Sequence, residues 1–157
     1  KALPEITSAA RHLEEVELFP FEKACEGGVA SVMTGHLYVP ALDNEDQKPS
    51  SLSEKMIEGI IRRAWDYDGL VITDAMNMKA ITDNYSSGEA AVKAIQAGVD
   101  LIVMPDNYKE AYKAIKKALK SGKIKESRID KSVRRIIYTK LKRGEIPPDT
   151  TLLKENQ

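Results

Sequence analysis

Several large classes of function are hard to build, given what this sequence lacks. It has one cysteine, Cys25, so no internal disulfide can form. No reactive-cysteine signature surrounds it, and it reads as a small buried residue. The two histidines, His12 and His36, lie far from each other and from Cys25 without ligand spacing, which argues against a zinc site. The scattered carboxylates lack a calcium-loop pattern, and no metal or cofactor is expected. No apolar run approaches the roughly 18 residues of a membrane-spanning helix. Neither sign of charge dominates: 24 Lys and Arg balance 24 Asp and Glu, leaving no overall field toward nucleic acid or an anionic membrane. No Gly-rich phosphate loop follows a candidate strand, which weakens a nucleotide-binding reading. The chain opens on Lys1 rather than Met and carries no signal segment, so its natural N-terminus is expected upstream and its localisation is not legible.

What is present is an alternation of helix and strand patterns. The 157 residues fit about one domain. A helical pattern over 13–24 contains Pro20, which should kink the helix or start a new turn, and Gly27-Gly28 should end it. A strand is expected over 29–34, followed by a polar loop through Pro49. Ser51-x-x-Glu54 reads as a capping box opening a helix whose apolar face is Leu52, Met56, Ile60 and Ala64, with Ile57 and Ile61 beside it. A second strand at 70–72 follows Gly69. Ser86-x-x-Glu89 opens the next helix, Gly98 closes it, and 99–104 is a third strand candidate. Ala111, Ala114, Ile115, Ala118 and Leu119 mark a fourth helix, stopped by Ser121-Gly122. Ser127-x-x-Asp130 is expected to cap a last helix with Ile129, Val133, Ile136, Ile137 and Leu141 inward and its Lys and Arg residues in solvent. Strands alternating with helices at this spacing predict an α/β fold with a parallel sheet and right-handed crossovers. By pattern alone a small open sheet fits as well. An eight-stranded barrel needs ~250 residues, with a lower limit of ~200, so a complete one is too large for this chain.

The chain is organised around Asp68-Gly69-Leu70-Val71-Ile72-Thr73-Asp74-Ala75-Met76-Asn77-Met78. A short β-branched run is what a parallel strand buried on both faces looks like. It stops on a carboxylate, Asp74. In a barrel of parallel strands, a polar residue at a strand's C-terminal end faces the chemistry; a cap for the following turn or helix is the equal alternative from position alone. His36 follows the first strand and falls on the same face. A lone histidine is more often a hydrogen-bonded structural residue than a ligand. Met76 and Met78 suit packing beneath a pocket floor. Asp100 begins its strand, at the opposite face, and is discounted, while Asp43 and Asp106 are weaker candidates after strands.

This stretch, extended through Lys79 and Ala80, resembles the nucleophile segment of family 3 glycoside hydrolases, and most of all their bacterial β-N-acetylhexosaminidase branch. The resemblance runs from about Leu3 to Arg143. Met76 stands where many relatives carry Leu and Ala75 where many carry a second Asp; the β-glucosidase branch more often has an aromatic residue there. The resemblance implies a retaining glycoside hydrolase with Asp74 as nucleophile. His36, in the segment Met33-Thr34-Gly35-His36 that matches the family's Met-Thr-Ala-His, is implied as a substrate-binding residue, with Met78 as a further substrate-binding candidate. It also implies that these strands are the sixth to eighth of a (β/α)8 TIM-type barrel, incomplete in this chain, with 1–144 as the partial barrel. Beyond Gly144, two prolines and a polar sequence read as an extended or frayed tail over 145–157.

Retention needs a nucleophilic carboxylate and an acid for the leaving oxygen. In the resembling branch the acid is a histidine in a Lys-His-Phe-Pro-Gly-His-Gly-like loop, which does not occur here. Leu3-Pro4-Glu5-Ile6 resembles the segment just downstream of that loop. The expected partners are therefore a β-linked amino-sugar substrate and the N-terminal half of the barrel, with self-association through open sheet edges, and neither nucleic acid nor a membrane span. The alternatives are a non-catalytic α/β module that binds sugar or protein and retains Asp74, or a family 3 β-glucosidase fragment.

Overall fold

The computed structural model describes residues 3–44 and 47–147; the expected tail lies outside the described residues from position 148 onward. Helix α1 (Ala10–His12) continues as a π-wound turn over Leu13–Glu17. Helix α2 (Phe19–Glu26) starts anew with Pro20 in its first turn, where the missing N–H costs nothing. Gly28 is left-handed, at φ 76°, and turns the chain into strand β1 (Ser31–Thr34).

A short 3₁₀ turn, Ser50–Leu52, precedes a π-wound helix, Lys55–Ala64. Strand β2 (Leu70–Thr73), helix α3 (Lys79–Thr82), helix α4 (Ser87–Ala97), helix α5 (Tyr108–Lys120) and helix α6 (Glu126–Lys142) complete the order. Strands β1 and β2 pair in parallel with Ser31 opposite Leu70 and Thr34 opposite Thr73. The segment after α4 runs parallel on the other side of β2. This is an α/β arrangement with β2 in the middle, and its Val71 and Thr73 are fully buried.

The third strand is reduced to one bridge, Ile72 to Leu101. Side chains take over two positions of its ladder. The Asp100 carboxylate accepts the Val71 N–H (3.0 Å), and Thr73 Oγ1 accepts the Val103 N–H (3.0 Å). Met104 then turns left-handed, at φ 43°, which ends the extended backbone.

Two caps differ from the sequence reading. Ser51 is fully buried in the 3₁₀ turn; the hydroxyl that receives the free helix N–H, from Met56, is that of Ser53 (3.1 Å). Helix α6 begins at Glu126 with no side-chain cap, so Ser127 lies within it. The 55–64 helix is also rotated relative to expectation. Ile57 and Ile61 enter the core, Met56 and Ile60 are half-buried and Ala64 is exposed. Its closing bond, Trp65 N–H to Ile60 O, spans five residues, and the wider winding turns the face away from i, i+4 spacing. On α6, Val133, Ile137 and Leu141 are exposed rather than inward.

Other signals are realised as expected. The Ser86 hydroxyl accepts the Glu89 N–H (3.2 Å), and Gly98 closes α4 at φ 116°, where an added Cβ would also lie 2.8 Å from Ile57 and from Glu58. The core packs Ile57, Ile61, Tyr67, Val71, Met76 and Ile81 against Ala90, Ala94 and Val99, and Cys25 belongs to it. Burial raises the Cys25 thiol pKa and pushes the Tyr67 hydroxyl up to about 12.

At the start of β2 the Asp100 carboxylate is fully buried. Arg62 Nη2 donates to its Oδ2 and the Ser132 hydroxyl to its Oδ1, both at 2.5 Å, and Arg135 Nη1 to Oδ1 at 3.4 Å. Arg128 lies 3.8 Å away and donates to Ile95 O and Val99 O at the end of α4. Burial lowers the pKa of the Arg62 and Arg128 guanidinium groups, and Asp100 opposes that shift. Arg135, read from sequence as a solvated residue, belongs to this cluster and also bonds Asp68 (2.9 Å).

Replacing Asp100 with Asn keeps the shape but leaves buried guanidinium groups without their anion. Such losses cost about 3–5 kcal/mol. Urea melts of Asp100→Asn should show a loss of that order, against less than about 1 kcal/mol for Asp68→Asn, whose carboxylate is 88% exposed.

Candidate active site

The two strands end level with each other on threonines. Thr34 Oγ1 donates to Ile72 O (3.2 Å), and Thr34 O accepts the N–H of Asp74 (2.9 Å). The first residue past β2 is thus tied to the last residue of β1. Thr73 fixes the other side: its N–H donates to Leu101 O (3.1 Å) while its hydroxyl oxygen holds Val103 N–H. Asp74 therefore leaves the sheet from a backbone bonded on both flanks.

Its side chain is half-buried. Oδ1 accepts the N–H of Ala75 (2.7 Å), the one hydrogen bond to this carboxylate among the described residues. A carboxylate held by one oxygen, with the other open, can bind a cationic centre or attack an electrophilic carbon.

His36 reaches the same turn from the loop after β1 and is only 4% exposed. Its Nε2 lies 3.0 Å from Ala75 O and its Nδ1 2.7 Å from Ser51 Oγ. A carbonyl only accepts, so Nε2 carries the proton and donates to Ala75; in the neutral ring Nδ1 accepts the Ser51 hydroxyl. Both ring nitrogens are engaged inside the protein.

Met76 is buried in the core, as expected, and its N–H donates to Val103 O (2.9 Å). Met78 is 44% exposed at the start of α3, not packed beneath a floor. Asp43 is buried, bonded to the Ser53 hydroxyl (2.5 Å) and paired with Lys55 (3.2 Å), a support for the start of the 55–64 helix. Asp106 is exposed in the turn before Asn107, whose side chain caps α5. His12 is exposed, 3.6 Å from Glu17. The structure therefore joins Asp74 and His36 in one turn and leaves Asp43, Asp106 and His12 outside the contacts of that turn.

Sequence reading missed Ser51, which it assigned to a helix cap, and the hub at Asp100. The His36–Ser51 pair spans a loop and has no local spacing to reveal it. Asp100 had one available signal, a carboxylate at the start of an otherwise apolar strand.

Parallel strands with a carboxylate at their C-terminal ends define an α/β domain of the class in which barrel enzymes carry their chemistry at the strand ends. Residues 1–139 match the glycosyl hydrolase family 3 N-terminal domain, and the chain belongs to that family, in which this domain is a TIM-barrel-like α/β fold. It superposes on a glycoside hydrolase family 3 beta-N-acetylglucosaminidase from Paenibacillus sp. with TM-score 0.88 and 42% identity, over 91% of this chain and 28% of that one. It is 26% identical to beta-hexosaminidase A of Pseudoalteromonas piscicida, over 89% of this chain and 27% of that protein. A beta-glucoside phosphorylase structure aligns with TM-score 0.83 and 27% identity, over 92% of this chain and 28% of that one. The chain thus spans between a quarter and a third of the length of these relatives.

Thr73→Val keeps the shape of the strand end and removes the acceptor of Val103 N–H. An unsatisfied buried donor costs about 1–3 kcal/mol. Thermal melts should show that loss, and amide exchange should quicken at Val103 before it quickens in α4.

Proposed function

We propose that this chain is the nucleophile-bearing part of a retaining β-N-acetylhexosaminidase acting on terminal β-linked N-acetylglucosamine. The observation that carries the reading is the placement of Asp74: a half-buried carboxylate immediately past a fully bonded strand, with one oxygen fixed by Ala75 N–H. Attack on an anomeric carbon needs an ionised carboxylate held rigidly, and a strand end gives less play than a loop tip. The beta-N-acetylglucosaminidase and beta-hexosaminidase relatives support the choice of sugar.

In this reading the two strands and the bridging segment are the sixth, seventh and eighth of the barrel, residues 1–144 form its partial domain, and Met78 stands at the rim facing the sugar. The leaving oxygen still needs a proton. His36 has both nitrogens occupied and is not poised to supply it, so the acid comes from the part of the barrel that the relatives have beyond this chain. That part is the natural partner of the edge of β1 that pairs with no strand among the described residues and of exposed Met33; without it the same edge favours self-association.

The similarity to a beta-glucoside phosphorylase sustains one alternative, a β-glucoside substrate on the same nucleophile. Aryl N-acetylglucosaminide and aryl glucoside substrates, each with and without phosphate, separate the two by rate.

Asp74→Asn in the enzyme carrying this segment should abolish turnover and leave the melting temperature nearly unchanged, whereas Asp106→Asn should be far milder. An active Asp74→Asn enzyme would remove the assignment. The chain by itself should show no turnover of an aryl N-acetylglucosaminide, because general acid help alone is worth ~10²–10⁴-fold; activity that survives repurification would overturn that expectation.

A further inference from the structure

The peptide unit joining Ala75 to Met76 is pinned at both ends. Its N–H donates to Val103 O (2.9 Å), and its carbonyl oxygen accepts from His36 Nε2 (3.0 Å) and from Met78 N–H (3.1 Å). One residue earlier, the Ala75 N–H is what orients the Asp74 carboxylate (2.7 Å). That N–H lies on the preceding peptide unit, which shares the Ala75 Cα with the pinned one, so a pinned Ala75 carbonyl fixes the Cα from which the carboxylate's donor is held. Val103 and Met78 act through backbone, and His36 is the one side chain that bonds Ala75 O among the described residues. Its own orientation is set by the Ser51 hydroxyl (2.7 Å), itself fully buried and tied to Gly35 O through its N–H (3.2 Å).

We infer that His36, braced by Ser51, is a positioning residue for the Asp74 carboxylate, acting through the Ala75 carbonyl rather than through contact with the sugar. The functional half of this inference rests on the nucleophile reading of Asp74; the mechanical half does not. The ring works as a strut, with the proton on Nε2 facing the Ala75 carbonyl and Nδ1 against the Ser51 hydroxyl. Substrate binding draws on other groups, so losing the strut should lower the rate of attack while sparing affinity.

Two near-isosteric substitutions separate the strut from packing. In His36→Gln the amide nitrogen sits near the place of Nε2 and can still donate to Ala75 O. In His36→Asn the side chain reaches only as far as Nδ1, so it keeps the Ser51 contact and loses Ala75. Amide exchange on the chain itself tests the mechanics. His36→Asn should quicken exchange at Met76 and Met78 about tenfold, the size of one lost hydrogen bond, with Ala90 and Ile57 unchanged, and His36→Gln should restore protection. Nitrogen shifts should report wild-type His36 as the Nε2–H tautomer.

In the enzyme carrying this segment, His36→Asn should lower kcat by up to about 100-fold at nearly constant KM, with Gln recovering most of the loss. A raised KM with kcat intact would make His36 a sugar contact and overturn the inference. Uniformly faster exchange in both variants would reduce it to a packing residue and overturn the inference equally. An Asp74→Asn enzyme that stays active removes the nucleophile reading alone, because the exchange result stands independently of it.

Discussion

Donors from three separate parts of the chain converge on the Asp100 carboxylate: Arg62 from the helix before β2, Val71 from β2 itself, and Ser132 with Arg135 from α6. A buried anion without such partners would be prohibitively costly, so these elements can only fold together. Arg62 extends the constraint by donating to Tyr67 O and Gly69 O (2.8 and 2.6 Å), which shapes the turn that leads into β2. Gly69 is required in that turn, since a Cβ there would run into the Tyr67 ring. The start of the central strand is thereby fixed from helix, loop and neighbouring segment at once.

The far end of the same strand is treated differently. No buried ion pair holds Asp74 among the described residues; backbone bonds to Thr34 and the Thr73 hydroxyl hold the strand around it. The division follows the logic of barrel enzymes, in which one face of the sheet carries stability and the other chemistry. Two aspartates at opposite ends of β2 illustrate it: Asp100 has its charge consumed by arginines, while Asp74 keeps an oxygen open. Rigid support from below and a free carboxylate above are what an attacking group needs.

Much of this was legible in the residues. The apolar run 70–72, Gly98 at the end of α4 and the Ser86 cap act through local rules of period and capping, and they appear where those rules place them. Asp74 and His36 were legible because parallel strands put their following residues at one end. Less legible were the features set by tertiary competition. The hydroxyl of Ser51 was more useful to His36 than to a helix end, and Asp100 and Thr73 displaced backbone groups from the third strand's ladder. The inward face expected for α6 fails for a related reason: helical period marks an apolar stripe, but the cover over Val133, Ile137 and Leu141 is not decided by the helix that carries them.

The central claim, that the carboxylate at the end of β2 forms a bond to sugar, is tested most directly by trapping that bond. A fluorinated N-acetylglucosaminyl donor slows breakdown of a glycosyl-enzyme, so incubation with the enzyme carrying this segment should leave one sugar attached. Trypsin releases residues 64–79 as one peptide, and fragmentation distinguishes Asp74 from Asp66 and Asp68 within it. The added mass should fall on Asp74. A label on another carboxylate, or turnover with no trapped species, would contradict the claim.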